Sequence, residues 1–355
     1  MTLTSSISVQ KTTHSRIRET DFNNLEFGKY LSDHMLMSDW HDGQWSEPVI
    51  VPFGDLKMSP AMLALHYGQS IFEGMKAYKK NGTVNIFRPE KHHSRMNKSL
   101  ERMCMPTISF EMFIQSLHAL IEIDQEWIPT TEGGSLYIRP VVFASESRLG
   151  VKVADRYKFV ILTSPVGPYY SKPFRLKVED KFVRTAEGGT GFAKCSGNYG
   201  GAFYPTQIAK HEGFDQILWT DSKEHKYIDE VGMMNVMFVL NGKIVTPALN
   251  TAILDGITRD SLLTLAREAG LEVEERRISI DEIEEGFKKK TLTEAFGAGT
   301  AAVVAPIAVI QIHGTDYQLP AVSPESIQQK LKTKLMDIRL GVTPDTHKWN
   351  YMFKV

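Results

Sequence analysis

Three prolines and a glycine fall within the ten residues Ser164 to Pro173, "SPVGPYYSKP", at the end of two apolar, β-branched runs, "SLYIRPVVFAS" and "YKFVILTSPV". Proline lacks a backbone N–H and fixes φ, so neither a helix nor a central strand runs through such a stretch. The two runs read as buried strands and the stretch as a linker. A chain of 355 residues has room for two domains. The boundaries that follow are 1–163 for an N-terminal small α/β domain, 164–173 for the linker and 174–355 for a C-terminal domain. Residues 1–20 are polar, carry no apolar core of a secretory signal, and read as a frayed arm. Tyr169 and Tyr170 are unusual for a spacer, since aromatics in a linker often face a ligand.

Strands and helices alternate elsewhere, which makes the fold class mixed α/β. Asn81-Gly82 and Asn241-Gly242 each suit a tight hairpin turn between apolar runs. "HHSRMNKSLERM" and "FEMFIQSLHALIEID" have helical spacing. In "LDGITRDSLLTLAREAG" Thr258 is the expected N-cap and Gly270 the stop. "DEIEEGFKKK" reads as a solvated helix face, and "FGAGTAAVVAPIAVI" as a glycine-bearing turn entering a buried strand. The net charge of -1 gives no field to recruit nucleic acid or an anionic membrane. The two cysteines, Cys104 and Cys195, form no disulfide framework. No apolar run approaches the roughly 20 residues that span a bilayer. A cytoplasmic protein without a metal site is expected.

The chemistry concentrates in "RTAEGGTGFAKCSGNYGG", Arg184 to Gly201, which packs glycines around Lys194. Three readings compete. A phosphate loop needs G-x-x-x-x-G-K-[ST], but counting from Gly188 the last glycine is Ala193 and the hydroxyl residue is Cys195. A covalent lysine needs partial burial or a nearby cation, and small neighbours that admit a flat ring; Arg184 and the glycines supply these. The third reading is an exposed lysine in a loose loop. The rest of the chain favours the second. Glu230 is an acid inside the apolar run "YIDEVGMMNVMFVL", and such a carboxylate needs a partner. The helix start at "GITRD" and the turn "FGAGT" offer free amides for an anion, and Arg95 offers a cation. An acid, a lysine and a phosphate cup together suit pyridoxal phosphate.

Read in order, "FGKYLSDHML", "LHYGQSIFEGMKAY", "LYIRPVVFASESRLGV", "VRTAEGGTGFAKCSGNYG", "QILWTD", "IDEVGMMNVMF", "ILDGITRDSLL" and "FGAGTAAVV" resemble the branched-chain amino-acid aminotransferases, over nearly the whole chain from about Leu25. That family has the fold-type IV architecture of pyridoxal-phosphate enzymes, with the cofactor between a smaller N-terminal and a larger C-terminal domain. The resemblance implies that Lys194 bonds the cofactor covalently and that Glu230 keeps its ring nitrogen protonated. Tyr199 would meet the ring hydroxyl, Arg95 the phosphate, and Arg184 would lie near the cofactor. The amides of Ile257 and Thr258, with Thr300, would complete the phosphate site. Phe27, Tyr67, Phe72, Tyr137 and Tyr169 fall on the substrate pocket. Arg139 and tyrosine hydroxyls such as that of Tyr67 are candidates for a carboxylate, and Thr300 and Ala301 for amides facing the α-carboxylate. The implied partners are branched-chain amino acids, glutamate and 2-oxo acids. A homodimer is implied too, with the Leu149–Val151 loop reaching the neighbouring site.

Two positions depart from the family pattern. Ala302 and Ala305 stand where animal members carry a CxxC pair, so no thiol switch of that kind is expected. Met233 stands where some members have threonine, one hydroxyl fewer near the substrate. A D-amino-acid aminotransferase or an aminodeoxychorismate lyase would share the lysine and the acid. A protein that holds the cofactor without catalysis is the reading from another class.

Overall fold

The computed structural model describes residues 7–167 and 172–355. The chain forms two compact units. The first is Met1–Tyr169 with Ala193–Gly197 and Arg339–Val355; the second is Tyr170–Phe192 with Asn198–Ile338. Two later stretches of chain thus return to the first unit, which contiguous boundaries did not anticipate. Residues 168–171 of the expected linker lie outside the described residues, and its first residues, Ser164–Val166, finish a strand.

The first unit holds strands β1 (Ser8–Val9), β2 (His34–His41), β3 (Gln44–Trp45), β4 (Val49–Pro52), β5 (Ser70–Phe72), β6 (Met75–Lys80), β7 (Thr83–Phe87), β8 (Ser135–Ala144) and β9 (Tyr157–Val166). Helices α1 (Leu63–Tyr67), α2 (Pro89–Arg102) and α3 (Phe110–Ile123) accompany them. Among the described residues the strands make one sheet in the order β1-β4-β2-β9-β8-β6-β7, and the C-terminal strand Asn350–Lys354 adds beside β7. β5 pairs antiparallel with β8, off that path. Asn81 (φ 50°) and Gly82 (φ 70°) take the left-handed conformations of the two-residue turn between β6 and β7.

α2 begins on Pro89, whose missing N–H costs nothing at a helix start. Its buried residues His92, Arg95, Met96, Ser99 and Leu100 recur at helical spacing on one face. Met96 and Leu100 join a core with Ile71, Val84, Phe113 and Leu117. Each such side chain stabilises the unit by about 1.5–3 kcal/mol. Arg95 and Ser99 share that face without being apolar, which marks it as more than core.

Residues 7–20, expected as part of a frayed arm, are held by polar contacts. β1 pairs with β4. The Thr12 N–H donates to His34 Nε2 (3.0 Å), and the Ser15 hydroxyl and Arg16 N–H donate to Asp33. Hydropathy does not register such pairings.

The second unit is built on β10 (Phe174–Val178), β11 (Gln216–Thr220), β12 (Ile228–Val231), β13 (Asn235–Leu240), β14 (Lys243–Thr246), β15 (Val273–Glu275), β16 (Leu292–Gly299), β17 (Val303–Ile312) and β18 (Thr315–Gln318). The described residues form a sheet in the order β12-β11-β10-β17-β16-β13-β14-β15, with β18 beside β17. Along this part of the chain run helices α4 (Gly197–Gly200), α5 (Phe203–His211), α6 (Ile257–Glu268), α7 (Ile280–Lys288) and α8 (Ile327–Arg339). Gly256, not Thr258, is the N-cap of α6, and Thr258 is buried within its first turn. Phe296–Gly299 are the end of β16, not a turn, because they pair with Val303–Pro306 of β17. No helix among the described residues is long and apolar enough to cross a membrane.

Candidate active site

Lys194 does not sit in a loose loop. Residues 193–197 run along the free edge of β5. The Phe72 N–H donates to the Lys194 carbonyl (3.0 Å), the Ser196 N–H donates to the Ser70 carbonyl (3.0 Å), and Ile71 bridges to Cys195. Side chains alternate in such a segment. Ala193 and Cys195 are buried, while Lys194 is half-buried with its Nζ 4.8 Å from the centre of the Phe72 ring.

Beside it in the same unit, Arg95 is fixed by a residue that sequence reasoning missed. Glu73 is fully buried and accepts from Arg95 Nε (2.7 Å) and Nη2 (2.9 Å), from His92 Nδ1 (2.8 Å) and from the Gly74 N–H (3.1 Å). Burial alone would raise the Glu73 carboxyl, but Arg95 and His92 hold it below the ordinary carboxylate range. Burial pushes the His92 imidazole down to about 4, so the neutral ring donates its Nδ1–H to Glu73. Glu73 lies in "SIFEGMK", an acid in an apolar run, the same signal that singled out Glu230.

Three of the aromatic positions, Phe27, Phe72 and Tyr137, form a connected wall. Phe27 meets Tyr137 edge-on, with ring centres 4.8 Å apart. Arg139 Nη2 donates to the Tyr137 hydroxyl (3.0 Å), and its guanidinium lies 4.5 Å from the Phe72 ring centre. Phe72 therefore has Arg139 and Lys194 as cationic neighbours. Gly74 makes room for this: a Cβ there would stand 2.0 Å from the Tyr137 hydroxyl oxygen. Tyr67 is placed differently. It is exposed on α1, and its hydroxyl donates to the carbonyl of Leu149. Tyr169 lies outside the described residues.

The acid Glu230 lies in the second unit. The Glu230 side chain, on β12, is 3% exposed and that of Arg184 6%, and Arg184 Nε lies 3.0 Å from Glu230 Oε2. That contact is an ion pair without an aligned hydrogen bond. Arg184 Nη2 donates instead to the Ala252 carbonyl (2.6 Å). The other carboxylate oxygen accepts from the Leu254 N–H (2.8 Å) and from Asn235 Nδ2 (3.3 Å). Asn235 also explains Gly256, since a Cβ at 256 would meet Asn235 Oδ1 at 1.8 Å. No side chain caps α6, so the first amides of the helix, at buried Ile257 and Thr258, keep the positive end of a helix dipole. Tyr199 is half-buried on α4, whose Asn198 is braced to Thr190 (2.7 and 2.8 Å). Thr300 and Ala301 are half-buried in the turn between β16 and β17, and Met233 is exposed.

Asp229, next to Glu230, is a second acid that sequence reasoning missed. It is 7% exposed and lines a cavity of about 30 Å³ with Lys223, Tyr227 and Arg277. Burial and the charge of Glu230 push its carboxyl up to about 7, from an ordinary 3.8. The unfolded chain loses this proton near 4 and the folded chain near 7, so folding stability falls as pH rises through that window. Asp229→Asn removes the slope. At pH 8 it is expected to be more stable than the natural protein by about 1–3 kcal/mol, and at pH 5 by much less. Urea unfolding at the two values measures this.

The amino-transferase class IV family model matches residues 70–310. The chain is 46% identical over 343 residues to a protein of Staphylococcus aureus (strain MRSA252) named probable branched-chain-amino-acid aminotransferase, covering 94% of this chain and 96% of that one. It is 44% identical over 342 residues to branched-chain-amino-acid aminotransferase 2 of Bacillus subtilis (strain 168), covering 95% and 94%. Its fold resembles the crystal structure of the branched-chain amino acid aminotransferase from Thermobaculum terrenum in its PLP form, with TM-score 0.73 and 25% identity over 89% of this chain and 97% of the other.

Proposed function

This chain belongs to the amino-transferase class IV family, and on that premise we propose how its residues divide the work of a branched-chain amino-acid aminotransferase. The reaction is a reversible amino transfer between leucine, isoleucine or valine and 2-oxoglutarate, and the cofactor is pyridoxal 5′-phosphate. The residues present fit that cofactor: a half-buried lysine, a buried carboxylate paired with a guanidinium, and an uncapped helix N-terminus behind a glycine where a Cβ would stand 1.8 Å from Asn235 Oδ1. When bound, the cofactor supplies a ring that takes up electron density from the substrate Cα.

Lys194 is the residue that bonds the cofactor, and its amine moves the proton at the substrate Cα. Glu230, oriented by Arg184, Asn235 and the Leu254 amide, holds a proton at the ring nitrogen. Arg95, with Nε and Nη2 fixed by Glu73, is the proposed phosphate cation, and the Ile257 and Thr258 amides and Thr300 are the proposed phosphate donors. Tyr199 meets the ring hydroxyl. The single observation that carries this reading is the clamping of the Lys194 backbone against β5, beside the Phe72 ring.

Phe27, Phe72 and Tyr137 supply the apolar wall that a branched side chain needs. The same wall has to accept the distal carboxylate of glutamate, and Arg139 with the Tyr137 hydroxyl is the cation for it. Thr300 and Ala301 offer their amides to the α-carboxylate. Arg139→Met is expected to raise KM for 2-oxoglutarate about 10- to 100-fold, the worth of a charge-assisted hydrogen bond, and to change KM for leucine by under about threefold. The function is tested with an amino-donor panel. L-Leucine, L-isoleucine and L-valine are expected to be used; preference for D-alanine, or pyruvate release from aminodeoxychorismate, overturns the assignment.

A homodimer is part of this reading. Leu65, Leu149 and Val151 are apolar and 67–80% exposed, and the Leu149–Val151 loop is the segment that reaches the neighbouring site. Two cysteines without a disulfide support a cytoplasmic setting.

A further inference from the structure

Ser99 stands on the buried face of α2, four residues after Arg95 and seven after His92, and it is fully buried. Its hydroxyl donates to the Arg95 carbonyl (2.9 Å) and accepts the backbone N–H of Lys194 (2.9 Å). A serine hydroxyl has one proton to give, so this single group joins the helix turn that carries Arg95 to the strand segment that carries Lys194. The Lys194 carbonyl is held separately, by the Phe72 N–H of β5. The lysine backbone is thus fixed at both ends, and Ser99 is the end that ties it to the arginine. Glu73 completes the arrangement from the side-chain end of Arg95. No hydrophobic requirement explains a hydroxyl here: its neighbours on the helix face, Met96 and Leu100, are core residues.

We propose that Ser99 is a positioning residue for the reaction, setting the span between Lys194 and Arg95 by locking the Lys194 amide to the turn that carries the arginine. The proposal rests on the reading of Lys194 and Arg95 given above. In that reading the arginine holds the phosphate end of the cofactor and the lysine its reactive end. An error in the span misplaces the lysine nitrogen even when the cofactor stays bound. Displacements of about 1 Å in such settings cost up to about 100-fold in rate.

Ser99→Ala removes this acceptor of the Lys194 N–H; Ser99→Thr keeps it. Three readouts are taken on both variants. In the apoprotein, hydrogen exchange at the Lys194 amide is expected to be at least about 10-fold faster in Ser99→Ala and near the natural rate in Ser99→Thr. In the holoprotein, kcat for leucine is expected to fall about 10- to 100-fold in Ser99→Ala, with KM changed by less than about threefold. The pH titration of the bound cofactor's visible absorbance is expected to shift in Ser99→Ala and to be recovered in Ser99→Thr. A lower melting temperature in Ser99→Ala with unchanged kcat, absorbance titration and amide exchange would reduce Ser99 to a packing residue and overturn the proposal. If Ser99→Ala does not fold, exchange in the natural protein decides: an unprotected Lys194 amide overturns the proposal, and a protected one that Ser99→Thr retains supports it. Failure of the covalent reading itself would appear separately, as absence of cofactor bonded to Lys194 in the natural protein.

Discussion

Lys194→Ala is expected to lose turnover by about 10⁴-fold or more while folding normally. Two contributions vanish together. The amine that moves the Cα proton is worth about 10²–10⁴ alone, and the covalent hold on the cofactor is lost with it. The fold has little reason to change, because the segment is fastened through main-chain groups. The Phe72 N–H, the Ser70 carbonyl and the Ser99 hydroxyl all contact backbone atoms of residues 194–196. The lysine amine lies 4.8 Å from the centre of the Phe72 ring, and trimming a half-buried side chain costs little. Steady-state assay with excess cofactor and a melting curve separate the two effects. Multiple turnovers at more than about one hundredth of the natural rate, with a folded protein, contradict the role.

The second large effect is expected at Glu230. Glutamine keeps the shape and still accepts the Leu254 N–H, but it carries no charge to hold a proton at the ring nitrogen. Loss of a preorganised charge of this kind costs about 10²–10³ in kcat. The substitution also strips Arg184 of its anion inside the unit, where both side chains are nearly fully buried. Removing one member of a buried pair destabilises by about 3–5 kcal/mol. Glu230→Gln with Arg184→Met should recover much of that stability and none of the activity, since the guanidinium is then no longer stranded. Urea unfolding and kcat on the single and double variants measure both parts. A double variant as active as the natural protein would place the acid's role elsewhere.

Much of the local structure was legible from short-range signals. Asn81-Gly82 and Asn241-Gly242 fixed two hairpins, because left-handed backbone is easy for those residues. Apolar β-branched runs marked β8 and β9, and helical spacing marked α2 and α3. Among the site residues, Lys194, Glu230 and Arg184 stood out because glycines, an apolar setting and a nearby cation surround them in the sequence itself. Arg139 and Tyr137 came only from the family resemblance, and β8 brings them together two residues apart.

What was not legible depends on long-range pairing. Nothing local in "AKCSG" says that it lies along β5, about 120 residues earlier, or that Asn350–Lys354 pairs with β7. The polar clamps were missed for a related reason. Glu73 with Arg95, His34 with Thr12 and Asp124, and Ser99 with Lys194 are buried or half-buried polar pairs whose partners become neighbours only on folding. The N-cap of α6 was misplaced because Thr258 is a good cap by type, while the space left by Asn235 selects glycine two residues earlier.

Borohydride reduction of the holoprotein, followed by digestion and peptide mapping, tests the central claim most directly. The expected result is a single reduced pyridoxyl label on Lys194, in the peptide containing "GFAKCSGNYG". A label on any other lysine, or a reconstituted protein that takes no label, would contradict it.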